Sequence, residues 1–374
     1  MSVRIAIDAR FLTQPLSGVQ RYARELCLEL DAAIDRGEPW ARDVEVTLLA
    51  PRDAPLPDLR HCRVQHVGRL AGHAWEQLEL PRAARGHDVL FCPGNVAPLA
   101  TLRGRTPVVT AVHDLAFRYH PETVSAVFRR VYEVLVPQVM RHAERVITVS
   151  EAERTRMLAH FPDAADRVVA VANGSRAPEA PGTAAGPDVS PAPPTGSFVL
   201  YVGALNRRKN VDGVMATVRH LLDTRPDLSA VFVGAGAAAY ASVDLGGDTH
   251  ERLHFAGAVD DASLDAHYRA ASLMLFPSFH EASGLPPVEA MARGCPVVVG
   301  DIPALRERCG DAAAYCDPHD VASIVAAAER LLDDADLRAD LVTRGRARAA
   351  EFSWERTLRE TLEVLRQAVD RPAP

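Results

Sequence analysis

The stretch LMLFPSFHEASGLPPVEAMARGCPVVV, Leu273 to Val299, decides how this chain is read. Its apolar opening, Leu273–Phe276, predicts a buried strand that Pro277 and Ser278 stop. A short loop with Glu281, Ser283 and Gly284 follows. Pro286 and Pro287 lead into a predicted helix, Val288–Arg293, because proline is tolerated in a first helical turn where its missing N–H is not needed. Gly294 ends that helix and Cys295–Val299 predicts the next strand. A helix N-terminus thus falls at the carboxyl end of a strand, the place where open α/β sheets bind ligands. Free N–H groups there suit an anion. Glu281 and Glu289 lie on the loop and the helix. Two glutamates eight apart occur often by chance and would alone read as solvated charges. A glycine turn and a helix start between two apolar strands make them candidates.

Outward from this stretch the same alternation recurs. Strands are predicted at Val3–Ile7, Val44–Leu49, Cys62–Val67, Val89–Phe91, Val108–Val112, Val146–Val149 and Val168–Val171. Helices are predicted at Val19–Leu30, Trp75–Leu80 and Val124–Glu144, where Pro137 is expected to kink or divide the helix. Ser150 reads as a helix N-cap. Residues 176–197, RAPEAPGTAAGPDVSPAPPTGS, lose all apolar period and read as a semi-extended linker. A second unit starts at Phe198–Val202, continues through Val211–Leu222, Ala230–Val233, Leu253–Phe255 and Asp261–Ala270, and closes with amphipathic helices at Val321–Leu332 and Leu337–Glu351. Ser353 is expected to cap a last helix, Trp354–Val369. The fold class is therefore α/β, with parallel sheets covered by helices. Strand order within the sheets is not legible from this pattern.

A length of 374 residues suits two domains, and an apolar fraction of 48% is that of an ordinary globular protein. The net charge of −7 argues against a nucleic-acid partner and a generally basic membrane-binding surface. The six cysteines are scattered without a CxxC pair, which disfavours a structural zinc site. Met1 runs straight into a predicted strand and no apolar run reaches bilayer length, so neither a signal peptide nor a membrane span is expected. A cytoplasmic protein is the resulting expectation.

Other stretches carry chemistry. Asn206-Arg207-Arg208-Lys209-Asn210 follows a strand and opens a helix. Such a run is commonly a solvated basic turn, but here it can form an electropositive clamp, with arginine a planar fork for phosphate and lysine a point charge. His113-Asp114 ends a strand; His113 reads either as a hydrogen-bonded strand-end histidine or as a partner for hydroxyls near neutral pH. Gly234–Ala239 fits GxGxxA, yet it lies mid-domain and lacks the following acidic residue, so a tight strand–helix turn is the better reading. Asp334-Ala335-Asp336 matches a DxD pattern, and helix capping explains it better than a metal.

Taken together, these stretches resemble the retaining glycosyltransferases of family four. The similar segments are IDARFL…SGVQRYARELCLEL, VHDLAFRYHPE, ITVSEAER, VANGS, YVGALNRRKN, HEASGLPPVEAMARGCPVV and FSWERT, which span nearly the whole chain. The resemblance implies two Rossmann-like domains facing a cleft, the GT-B architecture. Its boundaries would be an acceptor-binding domain at 1–175, the linker at 176–197, a nucleotide-sugar-binding domain at 198–352, and a helix at 353–374 packing back on the first domain. By the same resemblance Arg208 and Lys209 hold the donor diphosphate, Gly18 lets the first loop approach it, and Ser283, Gly284 and Leu285 offer backbone N–H groups. Glu281 orients the transferred sugar, Glu289 binds the ribose, and His113 contacts the sugar. No metal or other cofactor is implied. Some relatives carry a basic residue where this chain has Ala204; Arg207 is a nearby substitute.

The implied activity is transfer of a hexose-type sugar from a nucleotide diphosphate donor to a saccharide, lipid-linked or small-molecule hydroxyl, as in cell-surface polysaccharide or glycoconjugate synthesis. A lipid-linked acceptor would bring peripheral membrane contact at the inner face. A nucleotide-sugar epimerase and a non-catalytic nucleotide-sugar-binding module are the rivals; a pyridoxal-phosphate phosphorylase lacks a supporting lysine context.

Overall fold

The computed structural model describes residues 2–15, 17–121, 124–176, 192–234 and 251–370. Residues 177–191 of the expected linker and 235–239 of the GxGxxA turn lie outside the described residues. The chain divides into two compact units: Met1–Gly174 together with Trp354–Pro374, and Ser175–Ser353.

The first unit is built on strands β1 (Val3–Asp8), β2 (Val44–Pro51), β3 (Arg63–Val67), β4 (Val89–Cys92), β5 (Val108–Ala111), β6 (Arg145–Thr148) and β7 (Val168–Ala170). They form one sheet in the order β3-β2-β1-β4-β5-β6-β7, and every pairing is parallel. The central strands β4 and β5 are buried along their whole length, as parallel strands covered on both faces must be. Helices α1 (Gly18–Asp35), α2 (Gly72–Leu78), α3 (Ala126–His142) and α4 (Glu151–His160) supply the covering layers. The Ser150 hydroxyl caps the last of these, accepting from the Glu153 N–H. Pro137 neither ends nor divides α3. The carbonyl it leaves without an N–H belongs to exposed Glu133, where water can serve it, while Tyr132, Leu135, Val136 and Val139 anchor the helix on both sides of the proline.

The second unit is a sheet of β8 (Ser197–Val202), β9 (Leu228–Val233), β10 (Leu253–Gly257), β11 (Leu273–Phe276), β12 (Val297–Gly300) and β13 (Ala314–Cys316). Its order is β10-β9-β8-β11-β12-β13, again with parallel pairings throughout. Around it lie α5 (Val211–Thr224), α6 (Asp261–Ala270), α7 (Leu285–Ala292), α8 (Pro303–Cys309), α9 (Val321–Asp333) and α10 (Ala335–Ala350). Helix α7 starts at Leu285, not at Val288 as expected. Gly284, in the left-handed region at φ 68°, turns the chain into the helix. The fixed φ of Pro286 and Pro287 then already suits helical geometry. Asp334 caps α10, accepting from the Leu337 N–H.

The terminal helix α11 (Trp354–Asp370) returns to the first unit. Leu358, Leu362 and Leu365, on one helical stripe, join Tyr22, Leu26 and Leu30 of α1 in a single core. Burying each leucine contributes about 1.5–3 kcal/mol. The Thr357 hydroxyl donates to the Ala172 carbonyl at 2.8 Å. Among the described residues no helix is long and apolar enough to cross a membrane.

In both sheets the chain order reverses direction at one place, between β1 and β4 in the first and between β8 and β11 in the second. Crossovers leave such a pair of strands on opposite faces, so a crevice opens at their carboxyl ends.

Candidate functional site

At the β8/β11 reversal the basic run becomes a single 3-10 turn, Arg207–Lys209. Asn206 caps it, its side chain accepting from the Lys209 N–H at 3.1 Å. Asn210 ends it in a left-handed conformation, φ 56°. The same Asn210 side chain accepts from the Gly213 N–H at 3.2 Å and donates to the carbonyls of Pro277 at 3.0 Å and Pro318 at 2.7 Å. One amide therefore starts α5 and fastens the basic turn to the end of β11. Gly213 is required there, because a Cβ would lie 2.6 Å from the Asn210 oxygen. Register across the crevice is completed by the Phe279 N–H, which donates to the Arg208 carbonyl at 3.1 Å.

These contacts bring three of the expected side chains together. Lys209 Nζ donates to Glu281 Oε1 at 2.5 Å. Arg208 lies 3.9 Å from Glu281 Oε2 and donates to the His280 carbonyl at 3.2 Å. The Lys209 ammonium also sits 4.6 Å from the centre of the Phe276 ring, a cation–π contact. Burial alone would raise the Glu281 pKa, but the fields of Lys209 and Arg208 and the lysine hydrogen bond outweigh it and hold the carboxyl below its ordinary range. The cluster is one anion between two cations, with an excess of positive charge. Arg207 is exposed.

Beyond Glu281 the chain turns through Ser283 and Gly284. A Cβ on Gly284 would come 2.7 Å from the Leu305 side chain, so this turn needs glycine for space as well as for φ. Pro286 and Pro287 take the second and third helical positions and have no N–H. The donors left at the helix start are those of Ser283, Gly284 and Leu285, on a turn whose dipole favours an anion. The Ser283 hydroxyl oxygen is screened from solvent and makes no hydrogen bond among the described residues. Glu289 lies about one turn further along α7. Its Oε2 accepts from the buried Tyr268 hydroxyl at 3.2 Å, and burial beside this carboxylate pushes the Tyr268 pKa up. Tyr268 was not legible as a site residue, since nothing in the sequence says that α6 packs beside α7.

His113 and Gly18 belong to the first unit. Gly18 is the first residue of α1, and a Cβ there would meet nothing within 4 Å. His113 is buried; its backbone N–H donates to Asn95 Oδ1 at 2.7 Å, and its Nε2 lies 2.8 Å from the Pro93 carbonyl. Only a protonated Nε2 can bond a carbonyl, so Nδ1 is the acceptor nitrogen of a neutral ring. Burial lowers the His113 pKa and keeps it neutral. The edge of the ring meets Tyr22, with centroids 4.7 Å apart.

The comparisons with known proteins match this architecture. The profile of the family "Glycosyl transferases group 1" covers residues 186–348, and that of the "Glycosyl transferase 4-like domain" covers 17–174. O-antigen chain mannosyltransferase B of Escherichia coli is 30% identical over 68% of this chain and 69% of its own length. The chain belongs to the group 1 glycosyltransferases. Its fold is that of the GT-B members, two Rossmann-like units. Sucrose-phosphate synthase from Thermosynechococcus elongatus superposes with a TM-score of 0.73 at 19% identity, over 98% of this chain and 99% of that one. Anabaena HepE, solved with UDP-glucose, does so with a TM-score of 0.67 at 19% identity, over 97% and 99%. In this glycosyltransferase the basic turn, the paired glutamate and the glycine turn all stand at the carboxyl ends of β8 and β11.

Proposed function

We propose that this glycosyltransferase moves a hexose-type sugar from a nucleotide diphosphate donor to an acceptor hydroxyl with retention at the anomeric carbon. The observation that carries the reading is the buried Lys209–Glu281 pair at 2.5 Å with Arg208 beside it. When the anomeric C–O bond breaks, negative charge develops on the departing diphosphate and positive charge on the sugar. Arg208, Lys209 and the N–H groups at Gly284 and Leu285 stabilise the first. Glu281, anchored by the lysine, is placed to accept sugar hydroxyls. Glu289 accepts the ribose hydroxyls. The departing phosphate takes the acceptor's proton on the same face of the sugar, which needs no protein nucleophile. Two side-chain cations beside one carboxylate supply the charge compensation on which a metal-independent reaction depends.

A hexosyl donor is supported by the name of the E. coli mannosyltransferase and by the UDP-glucose bound to HepE. The name of the same E. coli relative, an O-antigen chain mannosyltransferase, supports a saccharide acceptor and a role in polysaccharide synthesis. The test is a panel of UDP-, GDP- and ADP-hexoses with and without saccharide acceptors, following nucleotide release and the anomeric configuration of the product. Release that depends on acceptor, gives a retained linkage and survives EDTA is expected. Conversion of the donor to its epimer without acceptor, or donor binding with no release, would overturn the reading.

A further inference from the structure

Behind the Glu289 carboxylate stands a layer of buried polar groups, all within the second unit. Asp265 and Tyr268 lie one turn apart on α6; Glu289 lies on α7 and Arg293 at its C-cap, again one turn apart. All four are buried. The Tyr268 hydroxyl donates to Glu289 Oε2 at 3.2 Å. The Arg293 guanidinium lies over the Tyr268 ring, 5.8 Å from its centre. Arg293 Nε donates to Asp265 Oδ1, and its Nη1 donates to the Glu289 and Arg176 carbonyls, each at 3.2 Å. Asp265 Oδ2 in turn accepts from Arg269 at 3.0 Å. The side chain of Glu289 is thus tied through Tyr268, and its backbone through Arg293, to one network.

We infer that Tyr268 is a positioning residue: it holds the Glu289 carboxylate in the geometry that receives the nucleotide's vicinal hydroxyls, and so sets a preference for a ribonucleotide over its deoxy analogues. The inference deepens the transferase reading and rests on it for the ribose. Packing alone does not call for the hydroxyl. A phenylalanine would fill the same space and keep the Arg293 contact, with no polar group to desolvate. Burial and the neighbouring carboxylate push the Tyr268 pKa well up, so its hydroxyl keeps its proton and stays a donor. Tyr268 is only 1% exposed, so its action on a ligand passes through Glu289. A glutamate ordered only on binding loses the freedom of a long side chain at that moment; one held beforehand does not. A carboxylate offers about four lone-pair sites, so the tyrosine bond and hydroxyl bonds are compatible. Removing the tyrosine donor should therefore weaken only those ligands that hydrogen-bond to the carboxylate.

Calorimetric titration of the full chain with UDP, GDP and ADP selects the diphosphate that binds, and its 2′,3′-dideoxy analogue is then the comparison. The wild type is expected to favour the ribonucleotide by about tenfold or more, as loss of hydrogen bonds to a charged group implies. Tyr268→Phe should weaken the ribonucleotide by about three- to tenfold and leave the dideoxy analogue within about twofold. The KM for the nucleotide sugar should rise by the same factor while kcat holds, a split that general loosening of the unit would not give. In a Glu289→Gln background Tyr268→Phe should add less than about twofold, because the two side chains act as one unit. Arg293→Lys keeps a cation against Asp265 but loses the planar fork. It should reduce the ribonucleotide preference by less, and it is the check if Tyr268→Phe melts early. A preference that survives Tyr268→Phe, both ligands weakened alike, or, where only Arg293→Lys folds, a preference it leaves untouched would overturn the inference and leave the ribose role of Glu289 standing. A wild type that binds the two analogues equally, or binds none of the three diphosphates, removes that ribose role and this inference together, while acceptor-dependent sugar transfer still judges the transferase reading.

Discussion

The two units place a buried charge cluster at the same topological point and balance it oppositely. Beyond β8 and β11, Lys209 and Arg208 surround Glu281, and the carboxyl is held ionised below its ordinary pKa. Beyond β1 and β4, Asp8 and Glu76 share Arg10, with His73 3.5 Å from Glu76. There burial and the Glu76 charge raise the Asp8 pKa from 3.8 to about 7. One crevice carries surplus positive charge; in the other a second carboxyl, Asp8, is held toward its protonated form by burial and by Glu76. The lesson is that topology sets where a site can form, while the sign of one or two buried charges sets what it can hold.

The largest expected break in this contrast is Lys209→Ala. Turnover should fall on the order of 10²–10³-fold, because an electrostatic contact made to the leaving group disappears. The same change strands a buried carboxylate at Glu281, which typically costs about 3–5 kcal/mol. Adding Glu281→Gln should restore the melting temperature without restoring turnover. Turnover near the wild-type level in Lys209→Ala would show that the positive surplus is not catalytic.

Glu289→Ala should act on binding. Isothermal titration with the nucleotide diphosphate alone should show affinity lower by about tenfold or more, with thermal stability checked because Tyr268 loses its acceptor. An unchanged dissociation constant would reject the ribose role.

The smallest effect tests the first unit. A carboxyl whose folded pKa is raised keeps its proton in the native state while the unfolded chain releases it. Stability from Asp8 is therefore present below about pH 4 and declines as pH rises toward 7. Asn keeps the acceptor for the Arg10 N–H and cannot ionise, so Asp8→Asn should melt higher than wild type at pH 7.5 than it does at pH 4.5, relative to each wild-type value. Glu76, Arg10 and His73 all face Asp8, and each kcal/mol relieved should appear as roughly 2–4 °C. A difference independent of pH would mean that Asp8 is ionised throughout.

Much of the architecture was legible because parallel α/β folds write strongly periodic sequences. Apolar runs such as Leu273–Phe276 and Val297–Gly300 have no exposed side to display and could only be buried strands. The helix start at α7 was misplaced by three residues because local rules place prolines at an entry without saying which helical position they occupy; the left-handed Gly284 decided it. Pro137 was expected to kink or divide its helix; it does not divide it, and the sequence does not show that its orphaned carbonyl belongs to an exposed residue or that core contacts grip α3 on either side.

By itself, then, the sequence determined the α/β class, the family, and a short set of charged residues, Arg208, Lys209, Glu281 and Glu289, worth examining. These follow from local periodicity and motif chemistry. Tertiary structure alone decided the strand order, and with it the two reversal points that bring residues 72 positions apart, Lys209 and Glu281, to 2.5 Å. It also decided the roles of Asn210, Tyr268 and the Asp8–Arg10–Glu76 group. The physical reason is range: hydrophobic period is a property of neighbouring residues, whereas the pKa and partner of a buried charge depend on which distant segments share its crevice.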